Sequence, residues 1–203
     1  LAGFGVFLAF WVFGSTSLSF SDRLMQITRG SNLSFFGAIK KLQLSYVGML
    51  VAHIGVAVFI IGVSMVGGIE EEKDVRMSVG DETTLDSYKF VLVGFEEFRG
   101  PNFDSTVGIF DVFEQGVKQT GLRPEKRFYH VQQMVMTEAS IDTGLTRDLY
   151  VSLGERLDDG SWIVRIYIKP FVDWIWAGAF IMALGGLVAV FDRRYRRRSV
   201  SGA

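Results

Sequence analysis

The sequence predicts a membrane protein: α-helical transmembrane spans plus an external all-β domain, a small barrel or sandwich with an OB-like form among the options. Two observations carry the spans. Residues Ser45–Gly67 and Phe171–Phe191 are uncharged or nearly so and reach the roughly twenty residues that a helix needs to cross a bilayer. A third carries the β domain. The segment between them, residues 68–170, holds most of the charge and alternates polar with apolar residues at a period of two.

Composition fits that division. The 203 residues are 49% hydrophobic and 21% charged, with a formal net charge of -1. There is no cysteine, which excludes a disulfide framework, a thiol nucleophile and a CxxCH haem-attachment site within this chain. Any thiol chemistry belongs to a partner.

Leu1–Phe13 is apolar but too short to span alone, so it reads as the second half of a transmembrane helix in a larger polypeptide. Residues 14–44 then form a polar cytoplasmic connector, with a short surface helix over Ser21–Gly30.

The central span, 45–67, carries one ionisable side chain, His53. Titratable groups at that depth are costly and by default functional. Gly48, Gly55 and Gly62 recur every seven residues with Ala52 beside them, a strip on which a second helix packs closely. At 3.6 residues per turn this strip lies roughly opposite His53. The residues alone leave three roles for the imidazole: a metal or haem ligand, a proton relay, or a packing group bonded to another helix. No second His, Met or Cys in the spans forms a local metal motif, so any haem held there needs a ligand from elsewhere.

Positive charge orients the chain. Arg23, Arg29, Lys40 and Lys41 precede the central span, and five arginines between 193 and 198 follow the last one. Both clusters are expected in the cytoplasm, which puts residues 68–170 in the periplasm of a Gram-negative cell. His53 then sits about 10 Å from the inner end of its helix.

In the external segment, strands are expected over Tyr88–Phe98, Thr106–Glu114, Met134–Asp142, Thr146–Leu153 and Trp162–Lys169, with a turn at Asp158-Asp159-Gly160-Ser161. The run Glu70–Asp74 reads as a solvated collar. His130 sits in a polar stretch without a spaced partner and reads as a surface residue. Met134 and Met136 read as core filler on a strand. Cross-strand ion pairing accounts for Glu138, Asp142, Arg147 and Asp148 more cheaply than catalysis does. In the last span, 171–191, Trp174 and Trp176 mark the outer interface, and Gly178, Gly185 and Gly186 give a close-packing face. The basic tail, 192–203, reads as an orientation and lipid-headgroup signal with no nucleic-acid role.

Several strings in one order resemble the CcmF family of cytochrome c-type biogenesis proteins: MLVAHIGVAVFIIGV, EKRFY, MTEASID, GLTRDLYVSLGE and IYIKPFVDWIWAGAFIMALGGLVAVFDRRYR. The resemblance implies part of the System I haem lyase of the bacterial inner membrane, which joins haem to the CxxCH cysteines of apocytochromes c. It implies a transmembrane haem b held between histidines of two helices, one of them His53 in the MxxAHxGVAV motif. The second ligand and the tryptophan-rich haem-handling segment belong to the N-terminal part of such a protein. The implied partners are the haem chaperone CcmE, the thiol-handling CcmH, apocytochrome c and a quinol as electron donor. His130 falls on no family motif. Asp173 stands where the family pattern has a basic residue, and Ser140 replaces a usual alanine. Two readings from other classes remain: a component of a haem or small-molecule transporter, and a membrane-anchored scaffold with no cofactor of its own.

Overall fold

The computed structural model describes residues 2–31 and 34–192. They form two compact units, one of helices and one of strands.

In the helical unit, α1 (Ala2–Ser31), α3 (Leu44–Ile69) and α4 (Val172–Val190) are each long and apolar enough to cross a membrane. A short α2 (Phe35–Lys40) links the first two of these, its first turn capped by the Ser34 hydroxyl. The glycines of α3 do what their spacing suggests. A Cβ added at Gly48 would stand 2.6 Å from Ala189 N, at Gly55 2.6 Å from Met182 N, and at Gly62 2.8 Å from Ile175 N. The reverse holds at Gly178, where the added atom would stand 2.5 Å from Phe59 N. The two backbones therefore touch, a packing that only small residues permit. At the end of this seam the Asp192 carboxylate, just beyond the end of α4, accepts a hydrogen bond from Ser45 N, 3.0 Å away, and so caps the first turn of α3.

The expected span over 1–13 and connector over 14–44 are corrected. The helix continues through Ser31, taking in the supposed surface helix at Ser21–Gly30. The polar residues do not break it because their hydroxyls are satisfied within it: Ser15 and Thr16 donate to Val12 O, Ser17 to Phe13 O and Thr28 to Leu24 O. The last expected span is helical from Val172. Phe171 sits before it in the left-handed region at φ 57°. The basic tail beyond Asp192 lies outside the described residues.

The strand unit comprises β1 (Glu71–Met77), β2 (Glu82–Leu85), β3 (Tyr88–Arg99), β4 (Phe103–Glu114), β5 (Val117–Leu122), β6 (Glu125–Tyr129), β7 (Met134–Glu138), β8 (Ser140–Asp142), β9 (Arg147–Arg156) and β10 (Trp162–Pro170). All pairings are antiparallel. One sheet runs β1-β10-β9-β8, and the other β2-β3-β4-β6-β7 with β5 also on β4. Between them lies a core built on Phe90, Leu92, Phe110, Val112, Leu149, Val151, Leu153, Val164 and Ile166, all fully buried. Of the barrel and the sandwich, the structure is the sandwich.

Two readings change here. The charged collar is strand β1: Asp74 receives both Nε and Nη2 of Arg165 at 2.8 Å, and Glu72 accepts from the Tyr167 hydroxyl at 2.8 Å. Paired across to β10, the run forms the wet face of a sheet instead of a linker. The expected strand Met134–Asp142 is divided at Ala139, with β7 in one sheet and β8 in the other. Strands β2, β5 and β6 are additional to those expected.

Candidate functional site

His53 lies near the middle of α3 and is exposed on the helix surface. The ring is oriented by its own helix. Nδ1 stands 2.8 Å from the carbonyl oxygen of Met49, one turn back. A carbonyl only accepts, so Nδ1 carries the proton and donates it. In the neutral imidazole this leaves the Nε2 lone pair pointing away from the helix. Metal-bound imidazoles are commonly held in this way, with one nitrogen on a backbone carbonyl and the other on the metal.

The surroundings divide by face. The glycine side of α3 is filled by α4. The opposite side meets α1, where Ala2 lies by Gly68, Gly5 by Ser64, and Ser19 by Tyr46 with their hydroxyl oxygens 3.0 Å apart. Along one flank of this α1–α3 contact runs an apolar cavity of about 240 Å³, lined by Ala9, Phe10, Phe13, Ile54, Ala57, Val58 and Ile61. Nearer the N-terminus of α3 lies an open polar cleft of about 640 Å³, whose lining includes Ser19, Asp22, Arg23, Gln26, Gln43 and Tyr46. Of these α1 residues the sequence marks only Arg23, as an orienting charge, because they fall in the supposed connector. The readable signal was the run of hydroxyls at 15, 16, 17 and 19, which a membrane helix tolerates only when they are satisfied.

Among the described residues no group of His, Asp or Glu gathers to hold a metal ion. His53 therefore offers a single ligand, and an imidazole with a free Nε2 is the donor that a haem iron accepts. The residues present fit one axial position of such a group.

The other residues singled out lie elsewhere. His130 is exposed in the strand unit, as expected of a surface residue, its Nε2 3.6 Å from Asp104, which Arg99 also holds at 3.0 Å. Arg147 joins Asp142 at 2.6 Å and the Tyr88 hydroxyl at 3.0 Å, while Asp148 accepts from Gly144 N at 3.1 Å. Glu138 lies 3.5 Å from Arg127. These are ion pairs and turn bonds that organise strands. Asp173 is in the first turn of α4, where a carboxylate suits the helix dipole. Met134 and Met136 are exposed on β7, so they do not fill the core.

Residues 68–170 match the family described as the CcmF C-terminal beta-sandwich. The chain belongs to the CcmF family. The cytochrome c-type biogenesis protein CcmF of Escherichia coli (strain K12) is 43% identical over 194 residues, which is 96% of this chain and 28% of that protein. CcmF of Haemophilus influenzae is 48% identical over 163 residues, 80% of this chain and 25% of that protein. The protein ccl1 of Rhodobacter capsulatus, also of cytochrome c-type biogenesis, is 41% identical over 170 residues. The chain thus spans little more than a quarter of the length of these CcmF relatives. A solved structure of the cytochrome c heme lyase CcmF shares the fold, with a TM-score of 0.75 over 94% of this chain and 30% of that one, at 15% identity. Within the family, the chain corresponds to the C-terminal sandwich and its flanking spans.

Proposed function

We propose that this chain is part of the holocytochrome c synthetase, the haem lyase of cytochrome c maturation, and that His53 is one axial ligand of a haem b buried in its spans. The observation that carries the reading is the ring orientation: Nδ1–H is engaged by Met49 O, so Nε2 is free to ligate. When bound, the haem b supplies one-electron redox chemistry, which reduces the haem presented outside for thioether attachment to the CxxCH cysteines of apocytochrome c. His53 holds the iron, and the Met49 carbonyl fixes the tautomer and raises the basicity of the ligand. The glycine seam with α4 keeps the helix in place without crowding the imidazole. The second axial ligand comes from the N-terminal part of the same protein. The electrons come from a quinol, and CcmE, CcmH and the apocytochrome meet the sandwich, which lies in the periplasm with the spans in the inner membrane. The chain is not active alone.

An absorption spectrum of the protein purified whole from the membrane tests this. A bis-imidazole b-type spectrum that disappears in His53→Ala is expected. If the spectrum survives that substitution, the ligand assignment fails and the chain is a scaffold or anchors another activity.

A further inference from the structure

A haem carries two carboxylates, and a membrane interior offers nothing to pair them; polar groups in such a place must find donors. Among the described residues, the polar cleft toward the N-terminal end of α3 offers such donors. Tyr46 lies seven residues before His53, so it falls within about 20° of the same face and about 10 Å along the axis. It lines the polar cleft together with Ser19, Arg23, Gln26 and Gln43. Arg23 makes no ion pair among the described residues, although Asp22 also lines the cleft and contributes a negative charge. The opposite flank of α1 and α3 is apolar. Among the described residues, the donors for a carboxylate-bearing macrocycle ligated by His53 therefore lie toward the N-terminal end of α3.

We infer that this cleft receives the carboxylates of the haem whose iron His53 holds, with Arg23 and Tyr46 as the principal donors. The inference rests on the ligand assignment above. It makes Arg23 a positioning residue, one that fixes the rotation of the macrocycle about the iron–His53 axis. A guanidinium is suited to that task because its fork matches a carboxylate. The other anion that such a cleft could take is the phosphate of a phospholipid headgroup.

The test is a chemical cycle on the whole protein in nanodiscs. Arg23→Gln, Tyr46→Phe and the unchanged protein are each reconstituted with haem b and with its dimethyl ester, in which both carboxylates are blocked. Haem loss to an excess of apomyoglobin is then timed. Loss of a charge-assisted bond is expected to speed release roughly tenfold in Arg23→Gln. With the ester, the unchanged protein should already show that faster release, and Arg23→Gln should add nothing further. Arg23→Lys should recover part of the effect.

Equal effects of Arg23→Gln on haem b and on its ester would overturn the inference. An effect that follows the phospholipid content of the nanodisc and ignores esterification would also overturn it, assigning the cleft to a lipid headgroup. These failures are distinct from failure of the ligand assignment, which His53→Ala reads by loss of the b-type spectrum.

Discussion

Gly55 gives the sharpest test of the helical unit. A methyl group at this position would stand 2.6 Å from Met182 N and 2.8 Å from Gly178 O, where ordinary contact begins at 3.4 Å. Both atoms are backbone and cannot swing aside, so α3 and α4 must part by about 0.8 Å. That separation also loosens the contacts at Gly48 and Gly62, because the seam is continuous. Overpacking of this kind costs about 1–3 kcal/mol. Gly67 is the control, since nothing lies within 4 Å of its added Cβ. The absence of native cysteine makes the assay direct. A cysteine pair placed at Ser45 and Asp192, which meet at the end of the seam without replacing a seam glycine, reports helix contact by its disulfide yield, and unfolding in mixed micelles reports stability. Gly55→Ala should lower both, and Gly67→Ala neither. If the two variants behave alike, close backbone packing does not hold these helices together.

Two further outcomes concern the sandwich. Phe110→Ala removes a fully buried ring and should destabilise the domain by about 3–5 kcal/mol, read as lost hydrogen-exchange protection in β3, β4 and β9. Acid should act through paired carboxylates. Hydrogen bonds from Arg127 and then Ser105 hold Glu125 below its ordinary value of 4.5, against the opposing effect of burial, and the Arg165 fork lowers Asp74 below 3.8. Each contributes stability that is present above those ordinary values and is lost as pH falls through the lower folded ones. The melting temperature should therefore begin to fall below about pH 4.5, and less steeply in Arg127→Gln, whose Glu125 has lost the largest of the interactions that favour its charge and keeps the Ser105 hydrogen bond.

The helix α3 was readable because apolarity, length and a glycine every seventh residue agree on one element and one packing face. Its mate α4 was readable for the same reasons. The full length of α1 is hidden in the sequence because hydroxyls count as polar in a composition window, although bonding to the carbonyl one turn back satisfies them. Strand β1 was missed for the opposite cause: five consecutive charged residues look solvated, and only the Arg165, Tyr167 and Lys169 partners on β10 make them a sheet face. Alternation indicates which face of a strand is wet but not how sheets close, so barrel and sandwich are equally compatible with the sequence. At the site, His53 was visible as the lone titratable group in a span. Its proton placement was not, because that depends on a side-chain rotamer facing the Met49 carbonyl.

The first and last strands of the sandwich are neighbours, with Glu71 opposite Ile168 and Met77 opposite Trp162. The polypeptide thus enters and leaves this module at adjacent points, as through a doorway. A module with such a doorway makes a cassette: exchanging it for a relative's version, or replacing it by a short hairpin, asks the flanking spans for no new connection length. Divergence in the extramembrane part can then proceed while the glycine seam stays unchanged.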